Sequence, residues 1–82
     1  MSVSSKVKAV LSLSSKEHSG LASHLGISTQ ALSNKFYRDS FSAADLIKVA
    51  EYCGTALCFL SADGNKVVID SNDLKVVKGV DK

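Results

Sequence analysis

The stretch Gly20-Leu21-Ala22-Ser23-His24-Leu25-Gly26-Ile27-Ser28-Thr29-Gln30-Ala31-Leu32-Ser33-Asn34-Lys35-Phe36 decides the fold. Its apolar residues fall into two short groups, Leu21, Ala22 and Leu25, then Ala31, Leu32 and Phe36, each at helical spacing. Gly26 stands between them, where a left-handed residue can end one helix without steric cost. Ser28 follows as an N-cap for the next helix. The stretch is therefore two short helices joined by a tight turn, with the small Ala22 where the helices must cross closely.

Outward from this pair, Val3, Val7, Val10 and Leu11 recur at helical spacing among lysines and serines, which predicts a first amphipathic helix over about residues 3–12. Ser12 to Glu17 is polar and breaks the pattern. Ser14 and Glu17 have the spacing of a capping box and would start the second helix near residue 15, whereas the usual layout of such a helical pair would start it near residue 18, and the later start is preferred. The third helix is expected from Thr29 to Tyr37, with Leu32 and Phe36 inward and Gln30, Ser33, Asn34 and Tyr37 outward. Asp39-Ser40 reads as a loop. Ser42 with Asp45 is another capping box, opening a fourth helix that Gly54 ends. The period then changes. Ala56-Leu57-Cys58-Phe59-Leu60 and Val67-Val68-Ile69 flank Asp63-Gly64, which predicts a β-hairpin. Residues 71–82 fit a third strand, a turn of helix or a tail, and the sequence does not choose among these.

The chain has 82 residues, no proline and no tryptophan. One domain of this size buries only about 60% of its chain surface, and oligomerisation is a common remedy. Charge is uneven. Residues 1–38 carry five basic groups against Glu17, a balance of +4, whereas residues 39–82 carry five lysines against seven acids, a balance of −2. The half that holds the helical pair is the basic half, which fits a polyanion partner for the N-terminal part. No apolar run approaches the roughly 20 residues of a membrane span, and no apolar leader opens the chain, so a cytoplasmic protein with no membrane association is expected.

The stretch from Leu21 to Phe36 resembles the repressor-type helix-turn-helix of phage repressor, Cro and the wider xenobiotic-response-element family of bacterial regulators. The likeness extends through the helix before it and through Ser42–Gly54. It implies a mainly α fold, a four-helix repressor-like domain over residues 1–55, here followed by a C-terminal β-hairpin and tail over residues 56–82 where longer members carry a fifth helix. In that respect the chain is more similar to Cro, whose C-terminal strand pairs between subunits. The resemblance also implies that Thr29–Tyr37 enters the DNA major groove, with Ser28, Thr29, Gln30, Ser33 and Asn34, and His18 and Ser19 at the start of the preceding helix, as the DNA-contacting positions. His18 stands where the family often has glutamine.

The residues themselves support a division of labour. Gln30 and Asn34 lie four apart on one helical face, and each amide can pair with the donor and acceptor edge of adenine. Base contacts are therefore expected from Thr29, Gln30, Ser33 and Asn34. Phosphate contacts are expected from His18, Ser19, Ser28, Lys35, Tyr37 and Arg38. Ser28 serves equally well as a cap alone, and Tyr37 as a half-buried surface ring. Cys53 and Cys58 read as reduced core thiols, since zinc takes four ligands at tighter spacing. His18 and His24 are six apart and do not share a face. There is no nucleophile–base pattern and no glycine-rich phosphate loop, so neither an enzyme nor a cofactor, metal or small-molecule ligand is expected. The reading is a DNA-binding transcriptional regulator that binds a palindromic operator in double-stranded DNA as a homodimer through residues 57–70. The alternative is a helix-turn-helix module that binds a protein, as an antirepressor or antitoxin does.

Overall fold

Ser2 opens the first helix, its hydroxyl accepting from the Ser5 N–H at 3.1 Å while the Ser5 hydroxyl accepts from the Ser2 N–H at 3.2 Å. The structure, a computed structural model, describes residues 2–74. Its elements are α1 (Val3–Leu13), α2 (His18–Leu25), α3 (Thr29–Arg38) and α4 (Ala43–Cys53), then β1 (Leu57–Leu60), β2 (Lys66–Ile69) and a 3₁₀ turn over Ser71–Leu74. This is the mainly α, four-helix-plus-hairpin fold that the sequence predicts. Of the three options for residues 71–82, the helical turn holds for Ser71–Leu74; the apolar residues Val76 and Val77 lie outside the described residues.

All four helices close in the same way. A residue in the left-handed region follows each, and the N–H of the next residue reaches back to a carbonyl five positions earlier: Lys16 to Leu11 at 2.9 Å, Ile27 to Ala22 at 3.0 Å, Ser40 to Lys35 at 3.0 Å and Thr55 to Ala50 at 2.9 Å. Gly26 and Gly54 fill two of these positions, as the sequence predicts. Ser15 (φ 56°) and Asp39 (φ 55°) fill the others. Ser14 thus helps to end α1 and does not form the capping box with Glu17; α2 starts at His18 with no side-chain cap. The Ser42–Asp45 box does form, with Ser42 Oγ accepting from the Asp45 N–H at 3.1 Å and Asp45 accepting from the Ser42 N–H at 3.0 Å.

The core is built where the four helices meet, from Val7 and Leu11 of α1, Leu21 and Ala22 of α2, Leu32 of α3, and Val49 and Cys53 of α4. Val10, Leu25, Ile27, Phe36, Phe41, Leu46 and Tyr52 pack around them. Each fully buried aliphatic side chain stabilises the fold by about 1.5–3 kcal/mol relative to exposure. Cys53 belongs to this core, but Cys58 does not: it sits half-buried on β1 because the hairpin packs one side of its start against α4 and leaves the rest outside. Both thiols are free.

Two contacts tie the helices together in ways that side-chain periodicity alone does not specify. Asp39, at the end of α3, accepts from the Ser4 N–H in the first turn of α1 at 2.6 Å, and the Ser4 hydroxyl donates to the Phe36 carbonyl at 2.8 Å. The Ser4 N–H holds the Asp39 carboxyl below its ordinary range. At Asp45, burial works to raise the carboxyl and is outweighed by the Lys35 ammonium and the Ser42 N–H, so it too titrates low. A carboxyl with a lowered folded pKa contributes stability that is present above its unfolded value, about 3.9, and is lost as pH falls through the folded value. The thermal midpoint should therefore fall as pH is lowered from about 5 towards 2. Asp39→Asn keeps an acceptor but no titrating group, so its midpoint should fall less over that range; an identical profile in thermal melts would remove Asp39 from the acid response.

The second contact is at Gly20. A Cβ there would lie 1.9 Å from the Tyr52 hydroxyl, which donates to the Glu17 carbonyl at 3.3 Å. Gly20 is the gap that lets α4 place Tyr52 against the start of α2. Glycine costs a helix about 1 kcal/mol relative to alanine, yet Gly20→Ala should not return that amount, because Tyr52 must swing away. In a Tyr52→Leu background it should. Equal gains from Gly20→Ala in both backgrounds, measured by urea denaturation, would mean that Tyr52 does not exclude the methyl group.

The hairpin pairs Leu57 with Ile69, Cys58 with Val68, Phe59 with Val67 and Leu60 with Lys66. Ser61 and Asn65 close its loop, Ser61 donating its N–H to the Asn65 carbonyl at 2.8 Å and Gly64 donating to the Ser61 carbonyl at 3.0 Å. Gly64 has φ 95°, so the Asp63-Gly64 signal resolves into a turn followed by one left-handed residue in place of a two-residue turn.

Candidate nucleic-acid interface

Helix α3 has one buried residue, Leu32 at 2% exposure, and Phe36 one turn later is half-buried. With about 100° between successive residues, fixing Leu32 inward turns Gln30 and Asn34 to the opposite side. Thr29, Gln30, Ser33 and Asn34 are all exposed. The four side chains expected to meet bases are thus together on one open strip of α3, and none of them accepts or donates an intramolecular hydrogen bond among the described residues. Ser28 caps α3, accepting from the Ala31 N–H at 3.0 Å. Its oxygen keeps a further lone pair and a rotatable hydrogen for a ligand.

The residues expected to meet phosphates divide into three groups. His18, Ser19 and Ser28 are exposed around the α2 and α3 starts, and Arg38 is exposed at the α3 end. Tyr37 is 89% exposed, so the expectation of a half-buried ring as its alternative role does not apply; its whole face is open to a ligand. Lys35 differs. It is half-buried, and its ammonium is held 2.8 Å from Asp45 on α4. In this position it bridges α3 and α4 and has only part of its charge directed outward.

Beside the strip lies an open cleft of about 330 Å³, lined by Lys8, His18, Ser33, Phe36 and Tyr37. Phe36 forms its organising surface: the His18 ring stacks on it with centroids 5.0 Å apart and planes inclined at 16°, and the Lys8 ammonium lies 5.4 Å from its centroid. Three helices contribute to this cleft. Sequence reasoning places His18, Ser33 and Tyr37 at the interface but misses Lys8, because α1 carries no motif and its lysines are distinguished only by belonging to the basic half of the chain. Among the described residues no cluster of three or more His, Cys, Asp or Glu is placed to hold a metal ion, and no helix is long and apolar enough to cross a membrane.

A pair of short helices joined through a left-handed glycine, with an exposed polar strip on the second, defines a helix-turn-helix domain. Residues 5–66 match the bacteriophage CI repressor helix-turn-helix domain family, and the chain belongs to that family. The match covers well over half of the 82 residues and runs from α1 through the turn of the hairpin. No curated protein and no solved structure matches the chain.

Proposed function

We propose that this chain is a sequence-specific transcriptional regulator, repressor-like, that binds a palindromic operator as a homodimer. Residues 1–55 form the DNA-binding unit, with α3 in the major groove; residues 56–82 form the dimerisation element, with the contact at residues 57–70. The observation that carries this reading is the strip of Thr29, Gln30, Ser33 and Asn34, exposed and without intramolecular partners on the second helix of a CI-repressor-type motif. Bases would be read by those four residues. Phosphates would be met by His18, Ser19, Ser28, Tyr37 and Arg38, and by Lys35, whose ammonium would divide its donors between Asp45 and a phosphate. Selection of bound duplexes from a random DNA pool tests the reading. An enriched palindrome supports it; no enrichment, with retention of a protein partner, favours the antirepressor or antitoxin alternative.

The hairpin supports the dimer. Phe59, Leu60, Val67 and Val68 are 69%, 67%, 64% and 49% exposed. A two-stranded hairpin is marginal in water on its own, and each of its strands has one unpaired edge. A second copy of the hairpin, related by a two-fold axis, would cover Phe59 and Val67, which share one hairpin face, and set two α3 helices on successive turns of DNA. The paired variant Phe59→Lys with Val67→Lys places charges on neighbouring positions of one hairpin face. It should sediment as a monomer at micromolar concentration and lose at least tenfold in operator affinity, since one half-site supplies only part of the binding energy. A parent protein that already sediments as a monomer, with and without operator, would count against the dimer.

A further inference from the structure

The geometry points to the cleft between α1, α2 and α3 as a phosphate-binding subsite, with Lys8 as its cation. This inference rests on the proposed DNA-binding function for its source of phosphate but not for its chemistry. Among the five residues that line the cleft one is a lysine and none is an acid. Lys8 has no carboxylate partner among the described residues, in contrast to Lys35, which Asp45 holds at 2.8 Å. The Phe36 ring, 5.4 Å from the Lys8 ammonium, fixes the cation without neutralising it, since the face of an aromatic ring attracts a cation but carries no net charge. Around it stand the donors that a phosphate oxygen requires: the Tyr37 hydroxyl on a ring 89% exposed and the His18 imidazole stacked on Phe36.

Placement argues for the DNA backbone as the source. Ser33 and Tyr37 lie between the buried Leu32 and Phe36 edge of α3 and the outward Gln30 and Asn34 strip. When Gln30 and Asn34 face base edges, the cleft therefore faces the sugar–phosphate strand on the α1 and α2 side. Lys35 lies on the other side of α3, towards α4. Phosphate contacts fix register and orientation on the duplex without reading sequence, so α1, which carries no part of the motif, would set the angle at which α3 enters the groove.

The test uses the full chain and short random-sequence duplexes, followed by fluorescence anisotropy over a salt series, with thermal melts to verify that each variant is folded. Lys8→Gln keeps the stem and removes the charge. It should lower affinity severalfold and reduce the slope of log affinity against log salt by about one unit per subunit. Lys8→Arg should restore both. Lys6→Gln, on the same helix but lining the groove against α4 and Leu57, should leave the slope unchanged. If the parent binds duplexes and the folded Lys8→Gln variant has the parental slope, the subsite is overturned while the proposed function stands. If the parent binds no duplex even at low salt, the proposed function fails, and titration with inorganic phosphate decides the cleft. Saturable shifts of the His18 and Ser33 amide resonances, lost in Lys8→Gln, would then assign it to a free phosphate group. No such shifts would overturn it for either source.

Discussion

Leu32→Ala should unfold a substantial part of the protein at 37 °C. Leu32 is the only buried residue of α3, and it packs into the cluster of Val7, Leu11, Leu21, Ala22, Val49 and Cys53. Truncating a buried leucine costs about 2–5 kcal/mol, the lost transfer energy plus the cavity left behind. A domain of this length has a total stability on the order of 4–12 kcal/mol. One substitution therefore removes a large fraction of it. The cost should fall near the upper end, because the cavity has walls from all four helices, and collapse around it would have to move several of them together. Leu32→Met, which conserves volume, should cost less than about 1.5 kcal/mol. Leu13→Ala provides the contrast: Leu13 is 85% exposed, so its loss should stay within about 0.5 kcal/mol. Urea denaturation followed by circular dichroism measures all three. A Leu32→Ala midpoint close to that of Leu13→Ala would show that α3 is held by its ends and not by its apolar residue.

The C-terminal end of α3 is tied to α1 by contacts that local sequence does not encode. The central helix pair and α4 were legible because their signals are local: apolar spacing on each side of Gly26, a Ser28 cap on α3, and a reciprocal cap at Ser42 and Asp45 on α4. The ends of α1 and α3 were not. Ser15 and Asp39 adopt left-handed conformations with the same closure that glycine provides after α2 and α4, and a serine or aspartate carries no such signal in isolation. At Asp39 a compensating interaction is visible: its carboxylate caps the first turn of α1 across 35 positions of sequence. A contact of that separation exists only once α1 and α3 are packed, so a reading of spacing could assign Asp39-Ser40 only to a loop. The same holds for Gly20, which looks like a defect in α2 until Tyr52 from α4 is laid against it.

The site was divided along the same line. Which face of α3 is open followed from Leu32 and Phe36 alone. Which charges on that face are free did not, since Asp45 and Lys35 meet only in the folded chain, and Lys8 reaches the site from a helix with no motif. The apolar neighbours of Cys58 point it to the core, whereas the hairpin has little to pack against beyond α4 and leaves Cys58 half-buried. Leu60, Val67 and Val68 are exposed for that same reason. An apolar run is read as interior by default, and an exposed apolar surface has an identical signature.

Gln30→Ala and Asn34→Ala should separate recognition from folding more sharply than any other change. Both side chains stand on the face of α3 opposite Leu32, exposed and without intramolecular hydrogen bonds among the described residues. Removing them leaves no cavity and orphans no partner, so thermal stability should move by no more than about 0.5 kcal/mol. On DNA the loss is different in kind. An amide can offer adenine both an acceptor for its N6 amino group and a donor for N7, whereas guanine presents two acceptors in the major groove. A bidentate contact of this type is worth about 1–3 kcal/mol, roughly tenfold or more in affinity for each half-site. Two symmetric half-sites on one dimer would bring the loss to about a hundredfold or more, since well-separated contacts add. Affinity for random duplexes should hardly change, because that binding comes from phosphate neutralisation. Discrimination should relax at one or two base pairs in each half-site and nowhere else. Two results would defeat the assignment: variants that bind the selected operator as well as the parent does, or variants whose affinities for operator and random DNA fall in parallel. The first would mean that bases are not read from this strip. The second would reassign Gln30 and Asn34 to the phosphate-contacting group, with sequence preference left to Thr29, Ser33 and the shape of the duplex.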